Sequence, residues 1–103
     1  MRESQYQSKL IKKIRRLLPG CMILKNDPEY IQGIPDLVIF YRDRYAFLEV
    51  KIDAQAEEQP NQGYYVDLFN EMSFAAFIFP EIEEEVLDDL QRSLSSGRSA
   101  RLS

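Results

Sequence analysis

Three charged residues set among apolar neighbours are the part of this sequence that could do chemistry. Asp36 follows a Gly-Ile-Pro turn, and Glu49 and Lys51 interrupt the apolar stretch YAFLEVKI. Successive side chains of a strand alternate between faces, with a rise of about 3.3 Å per residue. Glu49 and Lys51 are therefore predicted to point the same way, which puts an acid and a base on one face of a sheet.

A hairpin is expected to bring Asp36 to the same place. The runs DLVIFY (36–41) and YAFLEVKI (45–52) are typical of strands, and the three residues between them are few enough for a tight connection. With the turn centred on Asp43, Asp36 lies seven residues before it and Glu49 lies six after it. The pattern thus predicts two carboxylates at about the same height on neighbouring strands.

Such a cluster is costly without a ligand. Two carboxylates about 4 Å apart repel by roughly 4 kcal/mol at an effective dielectric constant of 20, and Lys51 would offset only part of this repulsion. A divalent cation would remove it, and hard oxygen ligands favour Mg²⁺ or Mn²⁺ over zinc. The alternative is a salt-bridge patch at a sheet edge, where charged residues hinder aggregation. The spacing alone leaves both interpretations open.

Composition limits which chemistry is possible. Histidine is absent and Cys21 is the single cysteine, which excludes His-based triads, His zinc sites and thiolate clusters. The 103 residues, 45% of them hydrophobic, predict one domain over 1–94 with a flexible tail over 95–103. A lone cysteine and the absence of a long apolar run predict a reducing, cytoplasmic location and no membrane segment.

Hydrophobic periodicity and turn residues predict the order helix, strand, strand, strand, helix, strand, helix. Apolar residues recur at helical spacing in the first, fifth and last segments, whereas the others are short apolar runs bounded by turn signals. The elements are expected at 3–18, 21–24, 36–41, 45–52, about 61–71, 73–79 and 81 to about 93.

Charge is distributed unevenly along the chain, whose formal net charge is −4. The run KLIKKIRR in the first helix is basic, and EIEEEVLDDL near the other end is acidic. Lys9, Lys13 and Arg16 fall on one face of the first helix and could bind a phosphodiester backbone. Contacts of that kind carry no sequence information.

Several motifs together resemble a known family. G-I-P-D at 33–36 and E-V-K at 49–51 resemble the PD-(D/E)XK nuclease signature, and the order of elements resembles the core of that superfamily. Glu3 and Gln7 in the first helix, and Gln62 at the start of the next, narrow the resemblance to the VRR-NUC branch, over nearly the whole chain. The resemblance implies an α/β, restriction-endonuclease-like fold: a mixed sheet flanked by helices, with an extra C-terminal helix.

The resemblance also implies roles for the clustered residues. Asp36 and Glu49 would hold Mg²⁺ or Mn²⁺, with the backbone carbonyl of Val50 as a further ligand. Lys51 would position or help to deprotonate the attacking water and would stabilise charge on the phosphate. These roles agree with what a divalent ion does in hydrolysis, since it activates water and polarises phosphoryl oxygens.

Two further residues would complete the site by resemblance. Glu3 would join it from the first helix, directly or through water, although a favourable charge at a helix N-terminus explains Glu3 equally well. Gln62 would contact the metal-bound water, Lys51 or the phosphate, or would simply be a polar residue that opens a helix. Gln59 is an alternative for the glutamine role because the start of that helix is uncertain.

The function implied by the family is that of a metal-dependent, structure-selective DNA endonuclease of the bacterial or phage type, with four-way junctions as one candidate substrate. A chain this short would reach two strands by forming a homodimer. Four aromatic residues could supply the interface, although core packing is the alternative use for most of them: Tyr64, Tyr65, Phe69 and Phe74.

Two other classes of function compete with this one. The first is a catalytically inactive nuclease-fold module that binds nucleic acid or a protein partner. The second is an interaction module whose acidic C-terminal helix engages a basic partner. Neither requires the clustered acids and lysine, whereas a nuclease requires all three.

Overall fold

The computed structural model describes residues 1–95, which form three helices and four strands. The order of elements agrees with the prediction, and the predicted tail lies outside the described residues except for Ser95, which ends the last helix. No helix within the described range is long and apolar enough to cross a membrane. The elements are α1 Glu3–Leu17, β1 Met22–Lys25, β2 Leu37–Tyr41, β3 Arg44–Val50, α2 Gln62–Met72, β4 Phe74–Ile78 and α3 Glu83–Ser95, with a 3-10 turn at Pro80–Ile82.

The strands form one mixed sheet in the order β1-β2-β3-β4. β1, β2 and β3 pair antiparallel, and β3 pairs parallel with β4 through the crossover that contains α2. A parallel pair needs a long connection, and a helix is its usual form. The predicted α/β fold with a mixed sheet flanked by helices is therefore confirmed.

The hairpin between β2 and β3 is one residue tighter than predicted. Tyr41 pairs with Arg44, so the turn is Arg42-Asp43 and Arg44 already belongs to β3. Arg42 adopts a positive φ of 59°, as two-residue hairpin turns require. The register continues to Leu37 opposite Leu48. The next pair beyond Leu37 and Leu48 is Asp36 and Glu49, and the tighter turn places these two residues directly opposite each other.

One face of the sheet carries the main core. Tyr6, Leu10 and Ile14 recur at i and i+4 on α1, which places them on one side of that helix. α3 contributes a second apolar stripe to the same cluster. The sheet residues that pack against both helices alternate along their strands. They are Leu37, Ile39, Ala46, Leu48, Val50 and Ile78.

The opposite face is only half covered. α2 packs on β3 and β4, and Phe69 stacks on Phe47 with ring centroids 4.2 Å apart. Over β1 and β2 three apolar side chains remain exposed: Met22, Leu24 and Phe40.

Three of the four aromatics predicted as a dimer interface contact one another, and the fourth does not join them. Tyr64 meets Tyr65 edge to face, Tyr65 stacks on Phe69, and Phe74 packs against the main core. Core packing accounts for most of them, because α2 must bury its apolar stripe against the sheet.

Candidate active site

Asp36 lies just before β2, where the Gly-Ile-Pro turn delivers the chain to the sheet. Its Oδ2 accepts a hydrogen bond from the backbone N–H of Val50, 2.9 Å away on the neighbouring strand. Burial raises the pKa of the Asp36 carboxyl, and the Val50 hydrogen bond opposes that rise. One carboxylate oxygen is thus tied to β3, and the side chain faces Glu49.

Glu49 is almost completely buried, with 2% of its surface exposed. Its Oε2 accepts a hydrogen bond of 2.7 Å from Gln62 Nε2, while its Oε1 is buried and has no hydrogen-bond donor. Burial raises the pKa of the Glu49 carboxyl to about 8, and the neighbouring carboxylate of Asp36 adds to this rise. An ionised Glu49 therefore lacks compensation at one oxygen, which is costly for a buried charge.

Lys51 follows β3 and is also buried. Its backbone N–H continues the sheet by donating to Ile78 O, 2.9 Å away. Its Nζ donates to Gln62 Oε1 at 2.5 Å and to the carbonyl oxygen of Glu57 at 3.1 Å, and lies 3.8 Å from Glu49 Oε2. The predicted placement of Lys51 beside the two acids is what the structure shows.

Gln62, the first residue of α2, links the base to the acid. Its side chain donates to Glu49 and accepts from Lys51, and its Oε1 also accepts the backbone N–H of Gln59 at 2.8 Å. Of the two glutamines considered, Gln62 contributes its side chain to this network, and Gln59 contributes backbone only. The catalytic role of Gln62 stays a prediction.

Glu3 approaches the cluster from the start of α1. Partial burial and the charge of Asp36 raise the pKa of the Glu3 carboxyl, and the charge of Lys51 lowers it. Glu3 therefore interacts electrostatically with both groups. Within residues 1–95, however, no three Asp, Glu, Cys or His side chains are arranged to hold a metal ion. The structure therefore does not bring Glu3 into one metal-binding group with the two facing carboxylates.

The basic face of α1 is partly neutralised by α3. Lys13 forms an ion pair with Glu83, and Arg16 borders the same groove between the helices, where Glu84 and Asp88 also lie. Lys9 is exposed nearer the start of α1. The three residues predicted to bind a phosphate backbone thus differ in their surroundings, because acids of α3 face two of them.

Two contributors to this site were not identified from the sequence, and the structure explains the role of a third, Gly33 of the G-I-P-D motif. The carbonyl of Glu57 binds Lys51, and Asn26 binds the backbone on both sides of Asp36. Gly33 has φ +92°, and a Cβ there would lie 2.7 Å from Pro60 O, so its lack of a side chain lets the turn meet the segment that precedes α2. Gly33 was part of the G-I-P-D motif in the sequence, whereas a backbone carbonyl such as that of Glu57 leaves no signal there.

Two solved structures resemble this chain over most of its length. One, named "VRR_NUC domain", has 26% sequence identity and a TM-score of 0.64, and the alignment covers 85% of this chain and 91% of that chain. Another, named "VRR_NUC domain protein", has 15% identity and a TM-score of 0.61, covering 91% and 88%. No family model matches the sequence. No curated protein matches it either.

Proposed function

We propose that this chain, which belongs to the VRR-NUC family and has its nuclease fold, is a divalent-metal-dependent DNA endonuclease. The observation that carries the proposal is the pair of facing carboxyls, Asp36 and Glu49, with Lys51 beside them. Burial and the carboxylate of Asp36 raise the pKa of the Glu49 carboxyl, and an ionised Glu49 has no donor at Oε1, which is not the balanced pairing expected of a purely structural ion-pair patch. The arrangement is better explained by a ligand than by stability.

The residues present fit Mg²⁺ or Mn²⁺. Two carboxylates are hard oxygen donors, and the uncompensated Glu49 Oε1 is an acceptor that a cation would satisfy. Asp36, Glu49 and the backbone carbonyl of Val50 would hold the ion. When bound, such an ion lowers the pKa of water and polarises a phosphoryl oxygen.

Lys51 and Gln62, which lie beside the two acids, would assist hydrolysis by binding and orienting groups that the metal ion does not hold. Lys51 has three N–H donors, of which Gln62 and the Glu57 carbonyl take two. The third is left for a phosphoryl oxygen or for the attacking water, so Lys51 would orient that water and stabilise the developing negative charge. Gln62 holds the ammonium group in place, and Glu3 would act through water from the edge of the site.

The proposed substrate is DNA, selected by structure and not by sequence. Lys9, Lys13 and Arg16 on α1 would contact phosphates, and such contacts do not distinguish bases. Four-way junctions are the substrate we propose to test first, because a homodimer would present two sites to two strands. A reducing compartment such as the cytoplasm suits the single thiol of Cys21.

Cleavage of labelled DNAs tests the proposal. The panel contains duplex, single-stranded, flap and four-way-junction DNA, each with Mg²⁺, Mn²⁺ or EDTA. The variants are Glu49→Gln, which keeps the shape of the side chain but removes its charge, and Lys51→Ala. Glu71→Gln, at an exposed acid in the last turn of α2, is the control for the lost charge. Sedimentation of the wild type gives its oligomeric state.

We expect metal-dependent cleavage that both site variants abolish and that Glu71→Gln retains. Cleavage that survives Glu49→Gln and Lys51→Ala would contradict the assignment of the site. Binding without cleavage under every metal condition would favour the inactive nuclease-fold module instead. A monomer that cuts four-way junctions symmetrically would contradict the proposed dimer alone.

A further inference from the structure

Asn26 holds the backbone of the segment that carries Asp36. It is the residue directly after β1, and its backbone N–H donates to Asp36 O at 2.8 Å, which extends the antiparallel ladder by one step. Its side-chain Nδ2 donates to Pro35 O at 2.7 Å. One residue therefore binds two consecutive carbonyl groups, those of Pro35 and Asp36.

These contacts matter because Asp36 lies just before the first residue of β2, where the regular pairing of the sheet ends. β2 begins at Leu37, so the Pro35-Asp36 backbone is not held by the regular β2–β3 ladder. On the β3 side its anchor is the bond from Val50 N–H to the Asp36 side chain. On the β1 side the anchor is Asn26. The Asp36 carboxyl is thus held directly from β3, and the backbone that carries it is held from the β1 side.

We propose that Asn26 is a positioning residue for the metal site, acting through the Pro35 carbonyl to orient Asp36. The inference rests on the proposed function, since it takes Asp36 as a metal ligand. Pro35 is fully buried, so its carbonyl would lose its donor in a variant without the amide, and the turn would shift to recover one. Hydrogen bonds that orient the ligands of a metal typically change its affinity by 10- to 100-fold.

The test is Mn²⁺ binding, measured by calorimetry and by the rise in melting temperature of the full chain with added Mn²⁺. Asn26→Ala removes the side-chain donor and leaves the backbone N–H. Asn26→Leu keeps comparable bulk without a donor. Asn70→Ala is the control, because Asn70 also makes a side-chain bond to backbone, accepting from Ala75 N–H at 3.0 Å, near the opposite end of α2.

We expect both Asn26 variants to need about 10-fold more Mn²⁺ than the wild type, and Asn70→Ala to bind like the wild type even if it melts earlier. Equal Mn²⁺ affinity in all three variants, or wild-type affinity in Asn26→Leu, would overturn the inference while the proposed function stood. A wild type that binds no Mn²⁺ would overturn the proposed metal site, and the role of Asn26 with it.

Discussion

The ammonium nitrogen of Lys51 lies 3.8 Å from Glu49 Oε2, and each of the two groups forms a hydrogen bond with the amide of Gln62. Gln62 satisfies an acid and a base at once because an amide carries both a donor and an acceptor. A charged residue at this position could serve only one of them well. The glutamine therefore keeps Lys51 and Glu49 close without joining them in a direct hydrogen bond.

Replacing Gln62 should disable the site more than replacing its neighbour. Gln62→Ala removes the hydrogen-bond donor of Glu49 Oε2. It also removes one of the two hydrogen-bond acceptors of Lys51 and leaves the Glu57 carbonyl. We expect about a 10- to 100-fold loss of cleavage rate. Gln59→Ala is the control, since Gln59 contributes its backbone N–H. Equal losses in single-turnover assays would contradict the central role of Gln62.

The raised pKa of Glu49 predicts how stability varies with pH when metal is absent. Its pKa rises from 4.5 to about 8 in the folded chain, so the folded state retains a proton that the unfolded state releases. That contribution is complete below pH 4.5 and is lost as pH rises through 8. In EDTA the melting temperature should therefore fall between pH 5 and pH 8.

Glu49→Gln should flatten this pH profile, because the amide does not titrate. The substitution removes only part of the fall in melting temperature with pH, because the pKa values of Asp36 and Glu3 are also raised. Thermal melts in EDTA across this pH range are the measurement. Glu84→Gln, at an exposed acid of α3, is the control. Parallel profiles for both variants would show that Glu49 is not buried with a raised pKa.

Removing Glu83 should strengthen DNA binding. Glu83 pairs with Lys13, so Glu83→Gln frees that ammonium group for a phosphate. Affinity should rise, and the slope of log affinity against log salt should steepen by about one counterion. Glu71→Gln, at an exposed acid of α2, changes the net charge equally and serves as the control. If both variants gain the same affinity in anisotropy titrations, net charge and not the release of Lys13 is the cause.

Gly33→Ala should affect both stability and catalysis. Gly33 and Gly20 have nearly the same positive φ, +92° and +88°, but a Cβ at 33 would lie 2.7 Å from Pro60 O, whereas nothing lies within 4 Å at 20. Both alanine variants pay the backbone cost of about 1 kcal/mol or more. We expect only Gly33→Ala to lower the cleavage rate as well, because it pushes on the segment that positions Gln62.

Thermal melts and cleavage rates of the two glycine variants separate these effects. Gly20→Ala measures the cost of the left-handed conformation alone. If the two variants lose equal stability and both cleave normally, the close approach between the turn at Gly33 and the start of α2 has no catalytic importance.

The elements were predictable because their patterns are local. Tyr6, Leu10 and Ile14 repeat at helical spacing, and the alternation along β3 separates Leu48 and Val50 from Glu49. The meeting of two acids followed from counting outward from a turn, an argument that tolerates an error of one residue. That error occurred, since Arg44 belongs to β3.

The surroundings of the site were not predictable in the same way. Asn26 resembles any polar loop residue in the sequence, and its importance depends on a pairing between strands ten residues apart. The ion pair between Lys13 and Glu83 joins helices at opposite ends of the chain. The charge runs indicated one basic and one acidic helix but could not indicate that the two helices meet, because packing between distant elements has no local pattern.

The parallel pairing of β3 with β4 has an electrostatic consequence. It requires α2 to run back along the sheet, so the helix begins at the end of β3 where Glu49 lies. The first turn of α2 contains no acid, and aligned peptide dipoles give such an end about half a positive charge. Although the chain has a formal charge of −4, the direction of the crossover helix places positive potential beside Asp36 and Glu49. A count of charged side chains does not include this contribution.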